Sequence, residues 1–96
     1  ETVRLVPDVA WLHRAGRNPA AFLQEYRDRL AYLHFKDTAE DRFCELGRGA
    51  VDFDSIIALL PGLSVEWVIM EQDTTTLSPE ESVAISARFL GEKGLL

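Results

Sequence analysis

The sequence predicts an α/β fold of three consecutive β/α units with parallel strands, and three observations carry that prediction. Strand-like apolar runs alternate with helix-period segments three times along 96 residues, an order that produces right-handed crossovers and a parallel sheet. Helix-start signals stand at Asn18-Pro19 and at Ser78-Pro79-Glu80-Glu81. Three apolar runs also end in a side chain of metal-binding type: Asp8 after VRLVP, His34 after LAYL and Glu71 after VEWVIM. Parallel α/β proteins build active sites at such strand tips, because the loops that follow the strands share one rim.

Taken in order, the first strand is expected over about Thr2 to Val9, with a loop through Trp11, His13 and Gly16 after it. Asn18 then caps a helix that opens on Pro19: the cap side chain accepts a free N–H, and proline lacks the donor that this position leaves unpaired. That helix is expected to reach about Arg29, with Phe22, Leu23, Tyr26 and Leu30 at helical spacing toward the sheet. Strand two covers Leu30 to Lys36, and a polar loop follows through Asp37, Glu40, Asp41, Arg42 and Gly47-Arg48-Gly49. Asp54 is expected to cap a short helix, Ser55 to Leu60, stopped by Pro61-Gly62. Strand three runs from about Val65 to Glu71. Ser78 and Glu81 form a capping box for a last helix that buries Val83, Ala84, Ala87 and Leu90 and fades from Gly91 to Gly94.

With 47% hydrophobic and 27% charged residues the composition is that of a globular chain. Three β/α units are nonetheless too few for self-sufficiency, since a parallel sheet needs both faces covered and its edges closed. The sequence opens on Glu1 and its one methionine is Met70, so the native start is expected upstream and the chain is read as the C-terminal piece of a longer protein. A net charge of −6 lacks the basic surface that phosphate-backbone binding requires, which disfavours nucleic acid as a partner. No apolar stretch approaches the roughly 20 residues of a membrane span, so no membrane partner is expected either. The single cysteine, Cys44, rules out an internal disulfide and fits a reducing compartment, so a cytoplasmic location is expected. Cys44 itself reads as an incidental loop thiol.

Strand periodicity sharpens the metal reading, because alternate side chains share a face. Arg4, Val6 and Asp8 lie together, as do Tyr32, His34 and Lys36, and Trp67, Ile69, Glu71 and Asp73. On the inward faces of a curved sheet Asp8, His34 and Glu71 converge at one end. Their separations are those of β/α repeats and not of a local metal motif. Two carboxylates and one imidazole suit a hard or borderline ion, Mn²⁺, Mg²⁺ or Co²⁺, with Zn²⁺ also compatible. Such an ion would polarise neighbouring substrate oxygens and stabilise the anion formed when a carboxylate removes a proton beside a carbonyl. Glu71 would be ligand and base, and Lys36 would face the developing oxyanion as a catalytic and substrate-binding group.

The runs Pro7-Asp8-Val9-Ala10-Trp11, Ala15-Gly16 with Asn18-Pro19, His34-Phe35-Lys36-Asp37, Leu46-Gly47-Arg48-Gly49 with Val51-Asp52-Phe53, and Glu71-Gln72-Asp73 resemble the sugar phosphate isomerase/epimerase family. The resemblance implies a xylose-isomerase-like (β/α)8 TIM barrel, of which these 96 residues would be the last three β/α units within one domain. It implies an isomerase, epimerase or inosose dehydratase-type activity in carbohydrate metabolism, on a small-molecule sugar or polyol. Asp8, His34 and Glu71 match three of that family's four metal ligands. The fourth, a glutamate on an earlier strand that pairs with the counterpart of Glu71 as acid and base, would lie before Glu1. Trp11 stands three residues after the ligand aspartate, where many members carry a substrate-contacting histidine, and Arg48 stands where an acidic residue is common. The rest of the barrel, or another chain, would be needed to complete the fold, and this piece alone is expected to be inactive.

Each assignment has a plainer counterpart. Asp8 and Glu71 could be rim carboxylates or helix caps, His34 a hydrogen-bonded core histidine, and Lys36 a structural ion-pair partner. Trp11 could be a sugar-stacking substrate wall or barrel-top packing. Asp37 is expected to orient a loop or Lys36, His13 to lie on the surface, and Gly47 and Gly49 to permit a tight turn. At the level of function the alternatives are a non-catalytic remnant of such a barrel and a metal-dependent endonuclease of the same superfamily. The endonuclease calls for more histidines and a basic groove, against two histidines and the acidic balance here.

Overall fold

Side-chain alternation in one short strand sets up the architecture. In a computed structural model that describes residues 3–96, the strand β1 (Leu33–Phe35) buries Leu33 and Phe35 on one face and turns His34 to the other. β1 pairs in parallel with β4 (Val68–Met70) in the register Leu33 to Val68, His34 to Ile69 and Phe35 to Met70. On its other side it meets the stretch around Leu5 to Asp8 through two isolated parallel bridges, Leu5 to Leu30 and Asp8 to His34. Three parallel ribbons therefore lie side by side with β1 in the middle.

The first ribbon is less regular than expected. Thr2 lies outside the described residues, and Val9 already belongs to a helix, α1 (Val9–Arg14). Pro7 has no N–H to give the ladder, so only its carbonyl takes part, accepting from the His34 N–H at 3.0 Å. The expected loop through Trp11 and His13 is thus a helix, capped by Asp8. Asn18 caps α2 (Pro19–Glu25) as read from the sequence. That helix gives way to a 3-10 turn at Arg27–Arg29, so it ends a turn earlier than expected.

The segment after β1 is not a plain loop. It folds into an antiparallel hairpin of β2 (Asp37–Ala39) and β3 (Arg42–Cys44). Its turn contains Glu40 in the left-handed region, φ 53°, a conformation that non-glycine residues adopt sparingly. Cys44 is therefore a buried strand residue, and burial pushes its thiol above the ordinary value, with Asp37 adding to the effect. The next helix, α3 (Phe53–Leu59), is capped by Asp52 and not by Asp54, and buries Phe53 and Ile56.

The long helix α4 (Pro79–Glu92) starts with the expected box: the Glu81 N–H donates to Ser78 Oγ at 3.2 Å, and the Ser78 hydroxyl meets Glu81 Oε1 at 3.0 Å. Its inward stripe matches the expected one at Leu90, which packs against the core, and at half-buried Ala87, but not at Val83 and Ala84. Val83 is 50% exposed and Ala84 is exposed, whereas Ser82 and Ser86 are buried. The serines face inward because they have polar work there. Ser86 Oγ accepts from the Leu46 N–H at 3.1 Å, and the Ser82 hydroxyl donates to Glu45 Oε2 at 2.8 Å. Glu45 also accepts from the Thr75 hydroxyl at 2.6 Å. That bond, against the opposing effect of burial and with help from Ser82, holds the Glu45 carboxyl below its usual range.

Val9, Ala10, Leu23, Leu33, Phe35, Leu46, Phe53 and Ile56 form the centre of the core. The other face of the ribbons is barely covered: Trp67 is 68% and Ile69 42% exposed, and Tyr32 stands beside His34 with ring centroids 5.8 Å apart. Among the described residues no helix is long and apolar enough to cross a membrane.

The turn after the hairpin is organised by Asp37, which is fully buried. Its carboxylate accepts four backbone N–H groups: Thr38 and Val51 on Oδ1, Gly47 and Gly49 on Oδ2, at 2.9 to 3.2 Å. This is the loop-orienting role read from the sequence. Gly47 supplies a positive φ of 89°, and any Cβ on Gly49 would collide with the Asp37 carboxylate and the Thr38 carbonyl. Asp37→Ala should therefore cost at least about 3 kcal/mol, because four buried or half-buried donors lose a partner worth roughly 1 kcal/mol or more each. Urea unfolding of the protein checks this, and a loss under about 1 kcal/mol would mean that water replaces the carboxylate.

Candidate metal centre

The three parallel ribbons bring their tips to one level. The bridge between Asp8 and His34 sets the first two abreast. Glu71 follows β4 directly, and its N–H donates to the Phe35 carbonyl at 3.0 Å, which places it one step farther up than His34, beside Lys36. Since positions two apart share a face, His34, Lys36, Glu71 and Asp73 all meet on the side away from the helical core. One ligand atom from each of Asp8, His34 and Glu71 lies within 4.8 Å of the other two.

Asp8 has separate tasks for its two oxygens. Oδ1 accepts the Trp11 N–H at 3.0 Å as the cap of α1, and Oδ2 lies 3.1 Å from Lys36 Nζ. The cap reading and the site reading of this residue thus both describe it, and the cap fixes the side chain whose second oxygen faces the rim. His34 is half-buried, not a core histidine, and its Nδ1 is 2.9 Å from Glu71 Oε1. The same Glu71 oxygen lies 3.2 Å from Lys36 Nζ. Burial would raise the Glu71 carboxyl, but the Lys36 hydrogen bond and charge, followed by His34, bring it below its usual value.

Lys36 is the centre of the cluster. Its side chain is 3% exposed, and its ammonium reaches Asp73 Oδ2 at 2.7 Å as well as Asp8 and Glu71. Burial works against the charge, yet the hydrogen bonds from Asp73, Asp8 and Glu71 outweigh it and raise the amine above its ordinary value. The ion-pair reading of Lys36 is therefore present in the geometry, with three acids as partners.

The sequence reading left three neighbours without a role. Asp73 was recognised only as sharing a face with Glu71, and that alternation was the available signal for its approach to Lys36. Phe43, on the hairpin, sets its ring centroid 4.9 Å from Lys36 Nζ, and the Arg14 guanidinium lies 4.0 Å from the same centroid. Nothing in the polar run from Asp37 to Arg42 pointed to this, because the hairpin was read as a loop. Trp11 is half exposed, meets Phe43 edge-on at 5.2 Å and lies 6.0 Å from Lys36 Nζ. It belongs to the wall beside the cluster. His13 is exposed, and Arg48 lies exposed on the glycine turn.

Sugar phosphate isomerase/epimerases are among this chain's structural neighbours. A sugar phosphate isomerase/epimerase from Parabacteroides distasonis superimposes with a TM-score of 0.73 at 26% identity, over 94% of this chain and 31% of that one. The probable 3-DHS dehydratase of Bacillus anthracis shares the fold, with a TM-score of 0.71 at 15% identity over 90% of this chain and 38% of its own. In sequence the chain is 27% identical to an inosose dehydratase of Clostridium beijerinckii, over 95% of this chain and 38% of the dehydratase. No family model matches the chain. It spans between about a third and two-fifths of the length of these relatives.

The double duty of Asp8 makes its substitutions separable. Both variants lose the ion pair with Lys36, but Asp8→Asn keeps a cap oxygen and Asp8→Ala does not. Asp8→Ala should therefore be about 1 kcal/mol less stable than Asp8→Asn. Equal midpoints in chemical denaturation would show that the cap contributes nothing.

Proposed function

We propose that this chain is a C-terminal segment of a (β/α)8 barrel, part of a single barrel domain, in a metal-dependent sugar or sugar phosphate isomerase, epimerase or inosose dehydratase-type enzyme. The observation that carries the reading is the meeting of Asp8, His34 and Glu71 within 4.8 Å at the tips of three adjacent parallel ribbons. Two carboxylates and an imidazole are an oxygen-rich donor set with one nitrogen, which fits Mn²⁺, Mg²⁺ or Co²⁺ and accommodates Zn²⁺. Asp8 Oδ2, a His34 ring nitrogen and Glu71 would hold the ion. When bound, it supplies Lewis-acid polarisation of neighbouring oxygens on a sugar or polyol.

The side chains then divide the work. Glu71 is the base that takes the proton from the carbon beside the carbonyl, and the electron pair moves toward the carbonyl oxygen. Lys36, held as an ammonium in a buried position, faces the charge gathering on that oxygen. Return of the proton to the former carbonyl carbon, with the adjacent hydroxyl proton passing to the old carbonyl oxygen, gives the isomer. Return to the same carbon from the opposite face gives the epimer, and expulsion of hydroxide from the next carbon gives the dehydrated product. Trp11 and Phe43 form an aromatic wall on which a sugar ring can stack. A glutamate on an earlier strand would be the fourth ligand and the second acid/base group. The exposed Trp67 and Ile69 on the open face support the need for the remaining units of a barrel, or another chain, against this sheet, and the 96 residues alone should be inactive.

Mn²⁺ titration of the full-length protein, followed by thermal unfolding, tests the reading. At a hundredfold excess over its dissociation constant a single ion stabilises the folded state by about 2.7 kcal/mol, and His34→Ala should abolish the shift. A folded protein that shows no response to Mn²⁺ or Co²⁺ would instead be a non-catalytic remnant.

A further inference from the structure

The Lys36 ammonium sits against two of the carboxylates that the proposed metal needs. It lies 3.1 Å from Asp8 Oδ2 and 3.2 Å from Glu71 Oε1, and that Glu71 oxygen is also the one facing His34 Nδ1. Its third and shortest contact, 2.7 Å, is to Asp73 Oδ2, which is outside the ligand triad. A divalent cation draws carboxylate oxygens closer than an ammonium does, and like charges repel at such separations. The ion and the ammonium therefore exclude one another from Asp8 and Glu71. With its side chain 3% exposed, Lys36 is held among these acids and not in bulk solvent. Asp73 is the acid left to receive it.

We propose that Lys36 is a tethered stand-in cation: without metal it neutralises Asp8 and Glu71, and metal loading moves its ammonium wholly onto Asp73. The inference rests on the metal-centre reading above. Lys36 stays an ammonium on both sides of this exchange, so no proton is gained or lost by it. Asp73 acts as a positioning residue. It keeps the displaced charge at the rim, beside Phe43, where a substrate oxygen would meet it. Metal binding then becomes replacement of one cation by another, not the filling of an empty acidic cup, and the apparent affinity is lowered by whatever holds Lys36 in place.

Mn²⁺ affinity in the full-length protein, measured by calorimetry on four forms, tests this. Lys36→Met should tighten Mn²⁺ by about fivefold or more, the lower end of ordinary coupling between sites. Asp73→Asn should weaken it by a similar factor in the parent protein, Asp73→Glu should restore it, and Asp73→Asn should have little effect in the Lys36→Met background. If Asp73→Asn weakens binding equally in both backgrounds, Asp73 acts on the metal directly and the exchange is overturned. Unchanged affinity in a folded Lys36→Met variant overturns it too. Should Lys36→Met fail to fold, Asp73→Asn with its Asp73→Glu rescue still decides, because unaltered Mn²⁺ affinity in Asp73→Asn contradicts the proposal. Absence of Mn²⁺ binding in both the parent and Lys36→Met overturns the metal-centre reading and the exchange with it.

Discussion

The register of β1 against its two parallel neighbours is the constraint on which the rest of the structure depends. His34 sits opposite Asp8 on one side and Ile69 on the other, and alternation then brings Lys36 level with Glu71. A slip of one residue would turn His34 and Lys36 into the helical core and send Leu33 and Phe35 to the open face. The apolar side of β1 therefore enforces the polar side. Phe35, packed against Phe53 at 5.1 Å, and fully buried Leu33 anchor the strand so that the side chains between them point the other way.

Three polar anchors then turn this register into a shaped rim. Asp8 ends its ribbon by capping α1, which fixes its outer oxygen. Asp37 gathers the glycine turn directly after β1, so the hairpin that carries Phe43 springs from a rigid base. Glu45 links Thr75, in the loop after Glu71, to Ser82 on α4. Each anchor is a buried or half-buried carboxylate whose oxygens accept hydrogen bonds or meet a cation. Each also lies within a few residues of a strand tip. Rim geometry is thus set by charged groups and not by loop packing alone.

Much of this was legible in the sequence, and the failures have physical causes. Period-two alternation and strand-end position were enough to bring Asp8, His34 and Glu71 together, and the signals at Asn18-Pro19 and Ser78–Glu81 located two helix starts correctly. Helix α1 was missed because Asp8 was weighed chiefly as a site residue, and a six-residue helix shows little periodicity. The β2–β3 hairpin was missed because its turn uses Glu40-Asp41 with Glu40 at positive φ, in place of the glycine pairs that announce such turns. Choosing Asp54 over Asp52 as a cap was an error between two acids two residues apart. On α4 the apolar pattern pointed to Val83 and Ala84, but partners for Ser82 and Ser86 came from Glu45 and Leu46, distant in sequence and invisible to local reading.

The central claim is that three ribbon tips form one cation site with Lys36 as its internal competitor. Anomalous diffraction from crystals of the full-length protein grown with Mn²⁺ tests it most directly. The account predicts one peak bonded to Asp8, His34 and Glu71, with Lys36 Nζ moved off Asp8 and Glu71 and retained by Asp73. A peak elsewhere, or an ordered ion beside a Lys36 still bridging all three acids, would contradict it.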